Sequence, residues 1–207
     1  HAMHSYLSNT HQKPLYAGYR IFVAEVASTC NEALLMQYLL KNTTDSKERA
    51  VLINHFLEQF KGTLYRQTMF AEFELEINER AAKGESLTAS ALCDIYRKLN
   101  EDYFGPDMEI DDNIALEWAR IPHFYYDYYV YQYATGFSAA IALSDKILNE
   151  GEPAVRRYLN FLCSGCTKDP VSLLRDAGVD MSGPEPVETA LKLFNSLMDE
   201  MEELLLK

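Results

Sequence analysis

The sequence predicts an all-α protein, and three observations carry that prediction. Apolar residues recur at helical spacing through nearly the whole chain, whereas no segment shows the alternation of a half-buried strand. Only 9 glycines and 7 prolines interrupt 207 residues, which favours long elements. Apolar residues make up 48% of the chain, enough for a sizeable core. Because no repeat or low-complexity linker separates the segments, we expect residues 1–207 to form a single helical domain.

The first predicted helices begin at capping residues and end at breakers. After a short helix at the amino end, apolar spacing indicates a helix over residues 18–40. Asp45 followed by Glu48 is a capping box. It opens an unusually long helix, roughly 38 residues, that ends near residue 82 and is expected to bend at Gly62. Thr88 caps the next helix, which runs to about residue 100.

Prolines and glycines set the later boundaries. Residues 101–113 contain a Gly-Pro turn and are expected to be irregular, with a short helix over 114–120 after them. Pro122 suits the first position of a helix that runs to about residue 149. The last three helices are marked by Pro153, by Asp169-Pro170 with a stop at Gly178, and by Pro186.

The composition argues against two classes of partner. Lysine and arginine number 19 and aspartate and glutamate 31, so the formal net charge is −12. Such a chain repels the phosphate backbone of nucleic acids. No apolar run reaches the roughly 18 residues of a membrane span, and the amino end does not resemble a secretory signal. Four cysteines are too few for a disulfide framework, so we expect reduced thiols and a cytoplasmic protein.

A histidine and a carboxylate near the amino end are candidate metal ligands. His1 lies on the first predicted helix and Glu25 on the next. Zinc in catalytic sites takes nitrogen and oxygen ligands and leaves one position for water. Taken alone, the pair is more typical of an exposed terminus beside a solvated glutamate. His4, one turn after His1, is more typical of a packed or exposed helix histidine than of a ligand.

The residues around this pair resemble a known family. His1-Ala-Met-His-Ser-Tyr6 and Tyr16-Ala-Gly-Tyr-Arg-Ile-Phe-Val-Ala-Glu-Val-Ala-Ser28 closely resemble the active-site segment of oligoendopeptidase F, a family of zinc oligopeptidases in the thimet-oligopeptidase superfamily. That family carries His-Glu-x-Gly-His and, about 25 residues later, a glutamate in a Glu-x-x-Ser context. His1 matches the last histidine of the first element, and Glu25 matches the glutamate of the second. The resemblance covers only the C-terminal third of the family's proteins and implies the multi-helix C-terminal catalytic region of a zincin-like oligopeptidase.

The resemblance implies His1 and Glu25 as two of the three zinc ligands. The third ligand and the glutamate that activates the water belong to the four family residues before the position of His1, and the sequence does not contain them. We therefore expect one Zn²⁺ per complete protein and an absent or weakly held ion in these 207 residues alone. We also expect these residues alone to be inactive as a peptidase.

A tyrosine-rich run from Ile121 to Tyr133 is the second candidate site. On the continuous helix predicted here, His123, Tyr126 and Tyr133 share one face, and the helix is buried on most sides. Pro122 places His123 in the first turn, where the helix dipole disfavours the imidazolium form. By itself the run fits an aromatic core helix whose hydroxyls find partners.

The family resemblance gives the same residues a catalytic role. In the superfamily a histidine, followed by two tyrosines that lie seven residues apart, stabilises the oxyanion that develops in the transition state. His123 with Tyr126 and Tyr133 matches that arrangement, although the histidine lies closer to the first tyrosine than in the thimet relatives. The resemblance therefore implies these three residues as hydrogen-bond donors.

Two other motifs are better explained by structure than by chemistry. The segment from Phe70 to Glu76 also resembles the family, but it is expected to be a packing face with its charges directed outward. Cys163-Ser-Gly-Cys166 has the spacing of a redox pair, yet it ends a helix in an all-α chain, whereas redox catalysis places such a pair at a helix start after a strand. Incidental reduced thiols explain it better.

Taken together, the sequence and its resemblance predict a cytoplasmic zinc metalloendopeptidase that hydrolyses short peptides. A non-catalytic helical interaction module that self-associates through exposed apolar surface is the alternative. Thiol redox chemistry at Cys163 and Cys166 is a third, weaker one.

Overall fold

Helices account for most of the chain in the computed structural model, which describes residues 1–206. The α-helices are α1 Ala2–His11, α2 Pro14–Ala17, α3 Ile21–Asn42, α4 Ser46–Gln59, α5 Arg66–Ala82, α6 Ala89–Phe104, α7 Tyr131–Glu150, α8 Glu152–Cys163, α9 Pro170–Ala177 and α10 Glu185–Leu205. A π-helix, Phe60–Tyr65, joins α4 to α5, and two 3₁₀ segments, Asp112–Arg120 and Pro122–Tyr125, lie between α6 and α7. Over these residues no strand forms, so the all-α prediction is confirmed. Within the same span, no helix combines the length and the hydropathy needed to cross a bilayer.

Local signals account for several helix boundaries. Asp45, Thr88 and Asp169 each accept a hydrogen bond from a backbone N–H in the first turn of α4, α6 and α9. Gly178 ends α9 with a φ of 101°, which glycine adopts without a Cβ clash. Gly62 lies inside the π-helix, so the long helix is interrupted where a bend was predicted.

The described chain divides into two compact units. Unit 1 comprises His1–Lys61 and the chain from Thr135 onward. Its core is formed by small and apolar residues of α3, α7, α8 and α9, among them Val26, Ala27, Cys30, Ala139, Leu143, Phe161 and Leu174. Around this core α1 contacts α8, and α10 contacts α4. Small residues at the centre, such as Ala27 and Ala139, let these helices approach closely.

Unit 2 comprises Gly62–Ala134. Its core is aromatic, and the rings of Phe73 in α5 and Tyr96 in α6 meet edge to face at 5.2 Å between centroids. A partly buried carboxylate, that of Glu117, contacts both a buried residue of this core and more exposed arginines. It accepts a hydrogen bond of 2.7 Å from the Tyr96 hydroxyl and pairs with Arg66 and Arg120. Burial by itself raises the pKa of Glu117, but these three donors lower it more, so the pKa lies below its ordinary value.

Candidate active site

His1 and Glu25 lie close together in unit 1. His1 is the N-cap of α1, Glu25 lies in the second turn of α3, and Nε2 of the histidine is 3.9 Å from Oε1 of the glutamate. Their side chains are 56% and 44% exposed, so both are open to solvent. The structure thus brings together the two residues that the sequence analysis assigned to a metal.

Aromatic stacking fastens α1 to the segment that leads into α3. The ring of His4 stacks on that of Tyr19 at 3.8 Å and 5° between planes, and Ser5 Oγ lies 2.6 Å from the Tyr19 hydroxyl. Ser8 donates a hydrogen bond to the Ala17 carbonyl. His4 is buried, as expected for a packed helix histidine, and burial lowers its pKa to about 4. The imidazole is therefore neutral at pH 7 and serves as a packing ring.

The donor set of this pair fits zinc. Zinc takes imidazole nitrogen and carboxylate oxygen at about 2.0–2.2 Å, which places two tetrahedral ligands roughly 3.4 Å apart. The 3.9 Å separation of His1 and Glu25 is close to that spacing. Within residues 1–206, however, no cluster of three or more His, Cys, Asp or Glu side chains could hold a metal. His1 and Glu25 are therefore two candidate ligands, and a zinc site of three protein ligands would need one more.

The tyrosine-rich run is not the continuous helix that the sequence analysis predicted. A 3₁₀ turn ends at Tyr125, residues 126–130 are not helical, and α7 begins at Tyr131. Tyr128 adopts a φ of 48°, which no helix interior tolerates. Aromatic residues have modest helix propensity, so tertiary contacts decide the conformation of this run.

Two further expectations for this run are wrong for the same reason. The run was expected to be buried on most sides, but several of its rings are exposed: Tyr125 (73%), Tyr126, Tyr128 and Tyr131. His123 lies in a four-residue 3₁₀ turn, so the dipole argument for a long helix does not apply to it.

The irregular backbone nevertheless brings the three predicted residues together. Nε2 of His123 lies 3.2 Å from the Tyr133 hydroxyl. The ring of His123 stacks on Tyr129 at 5.3 Å between centroids, and Tyr126 meets Tyr129 edge to face at 5.6 Å. We call His123, Tyr126, Tyr129 and Tyr133 the tyrosine cluster. The imidazole and the phenol groups can each donate a hydrogen bond; Tyr126 is exposed and the other three side chains are half-buried.

Tyr129 and Glu74 were missed by the sequence analysis. Tyr129 falls off the helical face that was assumed, yet its ring contacts His123, Tyr126 and Tyr133. Glu74 was expected to point outward, but it is 1% exposed and accepts hydrogen bonds from the backbone N–H groups of Tyr129 and Val130.

The sequence carried a signal for Glu74. Phe70, Glu74 and Ile77 lie at i, i+4 and i+7, which is the spacing of a core-facing stripe. A carboxylate on such a stripe is buried and needs hydrogen-bond donors from within the protein. The position of Glu74 on the stripe therefore predicts that it accepts hydrogen bonds from other residues of the chain.

The cysteine pair is arranged as a turn. Cys163 is the last residue of α8, and burial raises the pKa of its thiol, which disfavours the reactive thiolate. Cys166 donates its backbone N–H to the Tyr16 carbonyl at 2.9 Å. Between them Gly165 has a φ of 54°, and a Cβ there would lie 1.9 Å from the same carbonyl oxygen. This geometry gives the glycine a clear structural role and offers no activated thiol.

Comparison with known proteins places the chain in one family. A family model described as Peptidase family M3 matches residues 1–193. The chain is 58% identical to Oligopeptidase PepF of Bacillus subtilis over all of its 207 residues, and 44% identical to the chromosomal Oligoendopeptidase F of Lactococcus lactis subsp. cremoris. It covers 31% and 34% of those two proteins, about a third of their length.

A solved structure shows the same fold. The crystal structure of oligoendopeptidase-F from Enterococcus faecium superposes with a TM-score of 0.89 at 46% identity, over 99% of this chain and 37% of that one. The family match spans far more than half of the residues, and the relatives align from end to end of the chain. This chain therefore belongs to peptidase family M3.

Proposed function

We propose that the complete protein carrying this sequence is a zinc metalloendopeptidase that hydrolyses short peptides. Membership in family M3 supports a peptidase, and the names of the relatives, oligopeptidase and oligoendopeptidase, support peptide substrates of limited length. The observation that carries the proposal is the approach of His1 Nε2 to Glu25 Oε1 at 3.9 Å on two neighbouring helices. The small number of cysteines favours a cytoplasmic location.

His1 and Glu25 are the residues that would hold the zinc ion. When bound, zinc polarises the scissile carbonyl and lowers the pKa of a water molecule. The neutral His4 ring, stacked on Tyr19, fixes the start of α1 against the segment before α3, and so holds the His1 side chain beside Glu25. This support leaves both ligand atoms exposed, as a catalytic metal site requires.

The tyrosine cluster would act on the substrate carbonyl. Attack on a peptide bond places negative charge on its oxygen, and aligned donors stabilise that charge more than they stabilise the neutral ground state. The hydroxyl groups of Tyr126 and Tyr133 and the ring N–H of His123 are donors of this kind. The His123 contact with Tyr133 orients both groups before substrate arrives, which reduces the cost of reorganisation.

A polypeptide limited to these 207 residues is proposed to be inactive. Catalytic zinc sites normally use three protein ligands, and His1 with Glu25 would provide two of them. Neither His1 nor Glu25 would be left to serve as the base that takes the proton of the water, because both would hold the metal.

The test compares the complete protein with the 207-residue polypeptide. Bound zinc is measured after removal of loosely held metal. Cleavage is measured on a quenched fluorescent peptide and on a folded protein that contains a sequence similar to that of the peptide. We expect about one zinc per complete protein and cleavage of the peptide only, abolished by a chelator and restored by zinc. The 207-residue polypeptide should cleave neither. Chelator-resistant cleavage would contradict a zinc mechanism, and cleavage by the short polypeptide would contradict its proposed inactivity.

A second candidate function applies to the 207 residues by themselves. Unit 1 exposes several large apolar side chains, Met3, Tyr6, Leu15, Ile21, Leu35 and Tyr38. Exposed apolar surface promotes association, so we propose that this polypeptide forms a non-catalytic module that self-associates. Sedimentation over a range of concentrations tests the proposal. A single monomeric species at every concentration would contradict it.

A further inference from the structure

We propose that Glu74 is a positioning residue for the tyrosine cluster. Its buried carboxylate fixes the strained turn, residues 126–130, on which Tyr126 and Tyr129 lie. The inference rests on the proposed peptidase function for its catalytic consequence, but the hold of Glu74 on the turn can be measured separately.

The side chain of Glu74 is buried. A carboxylate that is 1% exposed is costly unless hydrogen bonds replace the water it has lost. Both of its oxygens have such a partner: Oε1 accepts from the Tyr129 N–H at 3.1 Å, and Oε2 accepts from the Val130 N–H at 3.3 Å. The side chain therefore clamps two consecutive peptide groups that lie 55 and 56 residues further along the chain.

The backbone beside these two peptide groups is strained. Tyr128, immediately before them, has a φ of 48°, a left-handed conformation that is unfavourable for every residue with a Cβ. Conformations of this kind persist only where the surroundings hold them, and they concentrate at functional sites. The clamp formed by Glu74 begins at the next residue and so opposes the relaxation of Tyr128.

The start of α7 gives the clamp a second effect. Tyr129 and Val130 precede Tyr131, where α7 begins, and the N–H groups at a helix start lack partners within the helix. A carboxylate there also interacts favourably with the helix dipole. Glu74 thereby sets where α7 begins and where Tyr129 lies, and the ring of Tyr129 contacts His123, Tyr126 and Tyr133.

Glu74→Gln is the sharpest variant, because it preserves the size of the side chain. The two N–H groups bond to different oxygens of the carboxylate, and the amide replaces one of these oxygens by an NH₂ group, which is a donor and faces a donor. In the complete, zinc-loaded protein we expect kcat for a quenched fluorescent peptide to fall roughly 30-fold, with KM changed less than about twofold and zinc content unchanged. Amide exchange at Tyr129 and Val130 should accelerate roughly tenfold or more.

The control variant is Glu76→Gln. Glu76 is on the same helix, two residues away, but it is half-exposed and pairs with Arg80 one turn later. This substitution removes the same charge without touching the turn, so kcat and the exchange rates at Tyr129 and Val130 should stay at wild-type values. If Glu74→Gln prevents folding, Glu74→Asp, which keeps the carboxylate and shortens its reach, replaces it in the same measurements.

A rescue experiment separates positioning from a merely structural role. Asparagine accepts the left-handed conformation better than tyrosine does, so Tyr128→Asn reduces the strain that the clamp opposes. Glu74→Gln should therefore lower kcat less in the Y128N background, roughly fivefold instead of 30-fold. Equal losses in both backgrounds would overturn the coupling between Glu74 and the turn.

The outcomes for the two proposals are distinguishable. Unchanged kcat and unchanged exchange in Glu74→Gln would overturn the inference while leaving the peptidase proposal intact. A wild-type protein that cleaves no peptide would overturn the proposed function. In that case the exchange rates at Tyr129 and Val130 decide whether Glu74 holds the turn: acceleration supports the inference and no change overturns it.

Discussion

The His1–Glu25 pair of unit 1 and the tyrosine cluster of unit 2 are built in opposite ways. The pair lies at the start of α1 and within α3, two regular helices; His4 of α1 stacks on Tyr19 just before α3, and α1 also contacts α8. The cluster lies at a break between a 3₁₀ turn and α7, and it is held by a carboxylate from α5, more than 50 residues away. The pair thus depends on regular helices, whereas the cluster depends on an irregular turn and on a distant carboxylate.

The largest expected effect comes from breaking the pair in unit 1. In the complete protein, Glu25→Gln should remove most of the bound zinc and lower kcat/KM roughly 1000-fold, or about 4 kcal/mol at 1.36 kcal/mol per tenfold change, because a neutral amide is a poor zinc ligand. Metal content and peptide cleavage are the measurements. Glu32→Gln, at an exposed position two turns later in α3, is the matched control and should change neither. Full zinc content with normal cleavage in Glu25→Gln would show that Glu25 is not a zinc ligand.

The next effect tests the cluster in unit 2 without altering its packing. Tyr133→Phe removes the hydroxyl that lies 3.2 Å from His123 Nε2, so kcat should fall roughly 100-fold with little change in KM or zinc content. Tyr125→Phe is the control, because Tyr125 lies in the neighbouring 3₁₀ turn and is 73% exposed. A similar loss in both variants would mean that the cluster has no special role.

A pH experiment measures how far unit 2 depends on buried charge. The pKa of Glu117 lies below its ordinary value of 4.5 in the folded state, so the unfolded state takes up the proton first. The stability contributed by Glu117 is therefore present above about pH 4.5 and is lost as the pH falls through the lower, folded pKa.

Glu117→Gln should abolish that acid-side loss and destabilise unit 2 by about 2 kcal/mol at pH 7, because Arg66 and Arg120 lose their partner. Amide exchange of α5 and α6 gives the local free energy of opening. Glu101→Gln is the control. It removes the exposed ion pair of Glu101 with Arg97, whose charged atoms lie 4.0 Å apart, and should lower the free energy of opening by less than about 0.5 kcal/mol. An unchanged pH profile in Glu117→Gln would show that the network does not stabilise the unit.

The smallest effect separates the helices of unit 2 from its turn. Thr88→Ala removes the hydroxyl that accepts from the Ala91 N–H at 3.2 Å, so opening of α6 should become easier by about 1 kcal/mol. Thr88→Ser keeps the cap and should behave like wild type. Cleavage activity should not change in either variant. A fall in kcat in Thr88→Ala would show that the cluster depends on α6 as much as on the turn.

The parts of the fold that the sequence predicts are those with local causes. The caps at Asp45, Thr88 and Asp169 and the stop at Gly178 act within one helical turn, so residue type and spacing are sufficient. The approach of His1 to Glu25 has no such local cause: it was implied by the family resemblance, and α2 separates the two helices along the chain.

The failures lie where a distant group outweighs local preference. Helical spacing after Pro122 predicted a continuous helix, because no residue near Tyr128 in the sequence indicates its positive φ. The cause is Glu74, whose carboxylate takes the N–H groups of Tyr129 and Val130. The grouping of His123 with Tyr126 and Tyr133 was anticipated from the resemblance, but the ring at its centre, Tyr129, was not.

The turn at Gly165 has a practical consequence for anyone who wishes to attach probes to this protein. The approach of the Tyr16 carbonyl leaves no room for a side chain at position 165, whereas the exposed Cys166 side chain has space around it. A dye on this thiol would therefore report from a rigid point, since its own N–H is tied to the same carbonyl. Substitution of Cys163 or Cys166 should therefore be tolerated, whereas any substitution of Gly165 should not.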